Sequence, residues 1–248
     1  MTQAAVVAAY GSNSPSNRNK IINGDMQVWQ RGTSFPAIAN GAYFADRWLN
    51  DYTTTAVVTA SKAADAPTAA QAGGFTQNCI SLAVTTADTS IAAGDFFLVK
   101  QSVEGLNAAS FGFGQAGSRD VTLSFWVKGT KTGIHCVSLG NSAQNRGYVA
   151  EYTIVATNTW EYKTITIPVD TTGTWLYDNG VGVRLNFALM SGTTFHATAN
   201  TWTAGSYLFA TSNQVNALDT IGNDFRIALV QLEAGSVATP FEYRSYGA

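Results

Sequence analysis

Apolar and polar residues alternate through most of this chain, and the alternation predicts strands. Residues 121–128 run Val-Thr-Leu-Ser-Phe-Trp-Val-Lys, and residues 181–189 place an apolar side chain at every second position. A period of two sends one face of a strand into a core and the other toward solvent. Gly129-Thr130-Lys131-Thr132-Gly133 reads as a turn, so that 134–139 form the return strand of a hairpin. Strands follow over 148–155 and 160–168, separated by Ala156-Thr157-Asn158-Thr159. Weaker patterns predict strands near 44–52, 56–61, 76–85 and 96–103, an Ala-rich connection over 60–74 and one helical turn around 103–110.

The two ends carry distinctive runs. Asn19-Lys20-Ile21-Ile22-Asn23-Gly24-Asp25-Met26-Gln27-Val28-Trp29-Gln30-Arg31-Gly32 precedes Ala45-Asp46-Arg47-Trp48, and Phe225-Arg226-Ile227-Ala228-Leu229-Val230-Gln231-Leu232-Glu233 leads into Ala234-Gly235-Ser236-Val237-Ala238-Thr239-Pro240-Phe241-Glu242. Both read as strands ending in turns, and a closed sandwich places its first and last strands side by side. Residues 1–18 contain the breaker cluster Gly11-Ser12-Asn13-Ser14-Pro15-Ser16-Asn17 and read as an N-terminal arm. The fold expected for 19–248 is therefore one all-β domain, an antiparallel β-sandwich of about ten strands, closer to a jelly roll than to a seven-stranded immunoglobulin sandwich.

Composition narrows the partners. Hydrophobic residues make up 46% of the 248, enough for a large core, whereas charged residues make up only 12%, about half the ~25% usual in globular proteins. The surface must then be covered by Ser, Thr, Asn, Gln and Gly, which suits sugar or protein contacts. A net charge of −2 with no basic run argues against nucleic acid, which needs clustered cations. No apolar run approaches the ~20 residues of a membrane helix, and the N-terminus lacks the positive start of a secretory signal. Cys79 and Cys136 both fall in strand patterns and read as buried free thiols rather than a disulfide framework.

The end motifs, with Thr159-Trp160-Glu161-Tyr162-Lys163 between them, resemble the strand-rich modules of bacteriophage tail fibres and related virion adhesion proteins, a jelly-roll type related to carbohydrate-binding modules. The resemblance covers most of the chain. It implies a virion protein made in the bacterial host cytoplasm that adheres to host surface polysaccharide, contacts other virion proteins through the N-terminal arm, and assembles as a homotrimer. Many relatives carry a shaft before the module and continue past its end, so a fibre tip, a head or neck decoration and a shortened chain all stay open. The alternative function is a capsid or tail decoration or adaptor protein that binds virion proteins without recognising glycans.

Sugar-binding sandwiches often begin with a related Asn-Gly-Asp run and hold a structural calcium between their end strands. By that resemblance Asp25 is the candidate metal ligand. Calcium wants six to eight oxygens with carboxylates prominent, yet Gln27 occupies the next expected acidic position and residues 225–232 contain no Asp. The plainer reading of Asn23-Gly24-Asp25 is a turn. No other cofactor is expected.

Candidate glycan contacts come from strand parity. With Leu123, Phe125, Leu185 and Phe187 pointing inward, Trp126, Tyr152, Arg184 and Asn186 are expected on an outward face. An indole that stacks on a pyranose there, beside guanidinium and amide donors, makes a saccharide site. Coverage of that face by another strand, loop or subunit, or a one-residue bulge that reverses the parity, would remove it. Trp175 and Trp202 are candidate contacts on loops, with Trp160 beside them. Trp29 and Trp48 read as structural, and Asp46 and Arg47 as an ion pair or as partners of loop backbone.

Catalytic chemistry is sparse. Gly112-Phe113-Gly114-Gln115-Ala116-Gly117 has the spacing of a dinucleotide fingerprint, but a strand follows it where that motif needs a helix. The two histidines, His135 and His196, lack close metal-type or nucleophile partners in the sequence, and no acidic pair suggests a glycosidase. The expectation is a non-enzymatic protein.

Overall fold

A computed structural model describes residues 18–243, so the expected arm lies outside the described residues except for Arg18. Among the described residues, twelve strands form two antiparallel sheets. In chain order they are β1 (Ser34–Phe35), β2 (Leu49–Thr53), β3 (Val57–Ala63), β4 (Cys79–Thr86), β5 (Phe96–Glu104), β6 (Val121–Gly129), β7 (Gly133–Gly140), β8 (Arg146–Ile154), β9 (Glu161–Ile167), β10 (Val181–Ser191), β11 (Trp202–Ala204) and β12 (Asp224–Ala234). One sheet, here the β12 sheet, has the order β1-β3-β4-β12-β6-β9; the other, the β10 sheet, has the order β11-β8-β7-β10-β5-β2.

The pairing is nested. β7 pairs with β8, β6 with β9, β5 with β10 and β4 with β12. A long hairpin folded over on itself gives this arrangement, which is the jelly roll. β1 and β3 extend one edge of the β12 sheet, while β2 and β11 flank the β10 sheet. The expected all-β antiparallel sandwich is therefore present. β1 and β11, at two and three residues, are too short to leave a pattern in sequence. The described helices are short: α1 (Ala69–Ala72) within the Ala-rich connection, α2 (Gly105–Ala108), and 3₁₀ turns over Ala109–Phe111 and Thr193–Phe195.

The core lies between the sheets. Val121, Leu123, Phe125 and Val127 of β6 face Val183, Leu185, Phe187 and Leu189 of β10, and all are buried. Phe125 meets Phe187 edge-on, with ring centroids 5.0 Å apart, a favourable arrangement for two aromatic quadrupoles.

The N-terminal motif is not a strand. Residues 21–26 are turns and bends, but they do lie beside the last strand as a closed sandwich requires. The Lys20 amide donates to the Leu232 carbonyl at 2.8 Å and the Val230 amide to the Gly24 carbonyl at 2.9 Å. Side chains supply the remaining pairing. Asn19 donates through Nδ2 to the Val230 carbonyl and accepts the Leu232 amide at Oδ1. Gln101, buried in β5, accepts the Ile22 amide and donates to the Ile22 carbonyl, at 2.8 and 2.9 Å. An amide side chain can meet both needs of a backbone unit, which is why a buried Gln is tolerated here.

A bulge in β12 between Ala228 and Gln231 fits this docking. Leu229 there has φ of 50°, and both Ala228 and Leu229 pack on the outer face of the sheet, against Cys79, Trp126 and Phe241. Beyond the strand, the chain returns over that face. Glu233 accepts the Thr239 amide at 2.9 Å and Gln231 accepts the Glu242 amide at 2.8 Å. The terminal motif is thus a closure device whose polar residues hold backbone.

Both cysteines are buried and unpaired. Burial pushes the Cys79 thiol up to about 12 and raises that of Cys136. No described helix is long and apolar enough to cross a membrane.

Candidate glycan-binding cleft

The outer face of the β10 sheet divides into a covered half and an open half. Over the covered half, Phe195, Leu208, Phe209 and Ala210 pack on Phe96, Leu98, Cys136, Val149 and Ala188. The open half is a shallow cleft of about 470 Å³. Its floor is Leu49 of β2, Lys100, Ser102 and Glu104 of β5, and Val181 and Arg184 of β10, and its walls are Gly41, Tyr43 and Arg47 on one side and Asn179 and Gly180 on the other. Register brings these residues together: Arg184 lies opposite Ser102, and Lys100 opposite Leu49. Directly paired residues share a face.

The cleft is polar and charged. Arg47 is ion-paired with Glu104, and Lys100 with Asp51 of β2. The Glu104 carboxyl, although burial opposes ionisation, is held below the usual carboxylate range by hydrogen bonds from Arg47 and Asn107. Tyr43 leaves 45% of its surface exposed, and the Arg31 guanidinium lies 5.6 Å from its ring centroid. The cleft thus offers cationic donors, hydroxyls, one carboxylate and one exposed aromatic ring.

The predicted contacts do not form one face. Arg184 and Asn186 do point outward from β10, and Trp126 points outward from β6, but these strands belong to different sheets. Their outer faces are opposite sides of the molecule. Trp126 is half-buried in a small pocket on the β12 sheet lined by Gln71, Ser124, Tyr162, Leu229 and Phe241 among others, with its ring 5.4 Å from that of Tyr162.

Tyr152 points the other way from the expectation. It is 6% exposed in the core, edge-on to Phe125 at 5.1 Å and stacked on His135 at 5.8 Å. In β8 the opposite face also carries an apolar residue, Val149, buried under the segment that covers the sheet. With both faces apolar, the parity of that strand has no unique reading. Asn186 has the expected direction but only 3% exposure; its Nδ2 donates to Ser138 Oγ at 3.1 Å. It shares a small adjoining pocket with Arg184, Arg146, Tyr207 and Phe209.

The two tryptophans expected on loops also lie inward, and Trp202 begins β11, paired with Tyr148 of β8, rather than sitting on a loop. Trp175 is 8% exposed and packs 4.8 Å from Phe113 and 5.5 Å from Trp202. Trp202 is half-buried, with Tyr148 and Phe113 on its flanks and its indole N–H on the Pro168 carbonyl at 2.8 Å. They close one end of the sandwich. Trp160 is half-buried and donates to Asp65. Asp46 and Arg47 are not each other's partners: Asp46 pairs with Arg31 at 3.1 Å and accepts the Gln30 amide. Trp48 is fully buried and donates to the Asn23 carbonyl at 3.2 Å, joining the two halves of the N-terminal motif.

Among the described residues, no group of three or more His, Cys, Asp or Glu side chains, around Asp25 or elsewhere, could hold a metal ion. Burial raises the Asp25 carboxyl above its ordinary value. Gln27, at the expected second position, donates to the Asp25 carbonyl and accepts from Asn78.

Of the contacts expected from the sequence, Arg184 lines this cleft; Lys100, Ser102, Glu104, Arg47 and Tyr43 line it too and were not among the expected contacts. The signal for three of them was present in β5, where polar residues recur at every second position from Lys100 to Glu104.

No protein-family model matches the chain, and no curated protein matches it. Among solved structures, it is similar to the enzymatically active domain of tailspike protein 4 of Bacteriophage CBA120, at 16% identity over 89% of this chain and 22% of that one, with a TM-score of 0.45. It is similar to a CBM4 at 13% identity over 86% of this chain and 99% of that one, with a TM-score of 0.44. A family 11 carbohydrate-binding module from a cellulosomal cellulase of Clostridium thermocellum matches at 13% identity, over 83% and 97% of the two chains, with a TM-score of 0.40. The neighbours are thus a phage tailspike domain and carbohydrate-binding sandwiches. At these scores the likeness adds nothing to the reading of the cleft.

Proposed function

We propose that this chain is a non-enzymatic virion protein, part of a phage tail fibre, tip or head/neck fibre, that adheres to host surface polysaccharide through the open cleft of the β10 sheet. The cleft carries the reading. It is an uncovered sheet face whose Arg184, Lys100 and Ser102 present donors for sugar hydroxyls, with Tyr43 as an exposed ring at its edge. Such a mixture of polar groups around an aromatic ring is what a saccharide requires. A glycosidase would need two carboxylates placed across the scissile bond; the cleft lining holds Glu104 alone, already tied to Arg47. The virion role rests on the end-motif resemblance.

Glycan arrays probed with the assembled particle test the reading. Binding is expected, with loss of most of it in a Tyr43→Ala/Lys100→Ala variant that keeps its melting temperature. Blank arrays, together with normal adsorption of virions that lack this chain, would sink it. Two parts of the proposal have their own measurements. Mass determination in solution tests the homotrimer, and removal of residues 1–18 tests the arm as the contact with other virion proteins. If removal leaves particle incorporation unchanged, the arm is no anchor.

A further inference from the structure

The cations around the cleft are not equivalent. Arg47 and Lys100 each have a carboxylate partner, Glu104 and Asp51. Arg146, in the adjoining pocket, is held by both oxygens of Asp170 at 2.8 and 2.9 Å. Among the described residues, Arg184 has only neutral acceptors. Its Nε and Nη2 donate to the Ser142 carbonyl at 3.4 and 3.3 Å, and its Nη1 to Ser102 Oγ at 3.3 Å.

Scarcity of acids does not explain this, because Asp and Glu outnumber Lys and Arg by 16 to 14. The contacts themselves are long for hydrogen bonds. A guanidinium carries five N–H donors in a fixed plane, so after these three contacts Arg184 retains unused donors and an uncompensated charge. It borders both the open cleft and the adjoining pocket.

Resting on the glycan-binding reading above, we infer that the ligand of this cleft is an acidic saccharide whose anionic group is held by Arg184. A guanidinium binds a carboxylate or a phosphate through two parallel N–H bonds, which neutral hydroxyls cannot match in strength. The ion pairs Arg47–Glu104 and Lys100–Asp51 keep their charges internally balanced and serve the hydroxyls on either side. A uronate carboxylate and a sugar phosphate present the same chemistry to Arg184, and the experiment separates them.

Affinity electrophoresis of the full chain is run through gels containing alginate, polygalacturonate, the same polymers after reduction of their carboxyls to alcohols, and yeast phosphomannan. Retardation by at least one acidic polymer is expected. Removal of the charge, by carboxyl reduction or by Arg184→Gln, should weaken it about tenfold or more, the scale of one charge-assisted contact. Arg184→Lys should restore part of the binding. Arg119→Gln, which removes an exposed cation in the loop before β6, should bind as the parent chain does and so separates the site from diffuse attraction. Binding to the uronate polymers identifies a carboxylate, and binding to phosphomannan a phosphate. Equal retardation by acidic and reduced polymers, or Arg184→Gln indistinguishable from the parent, overturns the inference and leaves the glycan reading standing. Retardation by none of the polymers overturns the inference as well, and the glycan arrays then decide the reading it rests on. Melting curves establish that each variant is folded.

Discussion

Gly24 lies directly against Val230: a Cβ on Gly24 would sit 2.2 Å from the Val230 carbonyl oxygen. The neighbour is backbone of a central strand, so it cannot swing aside as a flexible side chain would. Gly24→Ala is therefore expected to push residues 19–24 off β12 and break the hydrogen bonds from the Lys20 amide to the Leu232 carbonyl and from the Val230 amide to the Gly24 carbonyl. The cost should be about 3 kcal/mol, the upper part of the range for overpacking, read as a shift in the urea midpoint. An unchanged midpoint would show that this segment contributes nothing to closure.

His135 makes stability depend on pH. It is 1% exposed, and burial lowers its pKa from 6.5 to about 4, against the opposing hydrogen bond to the Lys131 carbonyl. The unfolded chain binds this proton more readily than the folded one. Stability is therefore full above the unfolded value, falls as pH drops from 6.5 toward 4, and levels off with respect to this group below that. The loss is about 3 kcal/mol in all. Denaturant titrations between pH 7 and 5 should show the slope, and His135→Gln should flatten it whatever it does to stability at pH 7.

Tyr152 carries a hydroxyl that gains little from folding. The hydroxyl is buried without a hydrogen-bond partner, and burial raises its pKa well above 10. Removing an unsatisfied buried polar atom relieves its desolvation penalty. Tyr152→Phe should be neutral or stabilising by about 1 kcal/mol, with the edge-on contact to Phe125 kept. A clear loss of stability in urea would mean that the hydroxyl has a partner.

Trp126 gives the sharpest separation of the two outer faces. Trp126→Ala should cost about 2 kcal/mol, less than a fully buried aromatic because the ring is only half-buried. Saccharide binding in the cleft should be unchanged, since the cleft lies on the other sheet. Lost binding with an intact melting curve would move the glycan site to the pocket of Trp126 and Tyr162.

The acidic-saccharide inference depends on Arg184, a residue that strand parity alone placed outward. β10 was legible because its inward positions are all large and apolar and Arg184 breaks the pattern where the sheet is bare. β8 was not, because the segment carrying Phe209 and Ala210 covers its outer face and makes Val149 as buried as Tyr152. The N-terminal motif read as a strand since its apolar residues are real core residues, Ile21 and Met26 among them. Its backbone is instead satisfied by Asn19 and Gln101 side chains, which no period reveals.

Local chemistry in the sequence determined the long strands, the burial of both cysteines and the antiparallel sandwich, but neither the short β1 and β11 nor the turns of the N-terminal motif, because alternation is a property of neighbours along the chain and needs several of them to show. The tertiary structure decided which strands share a sheet, since the β5–β10 and β4–β12 pairings join residues far apart in the chain and their register is set by contacts that alternation does not record. That choice separated Trp126 from Arg184, turned Tyr152, Trp175 and Trp202 inward, and gathered Lys100, Ser102, Glu104 and Arg184 around one open cleft.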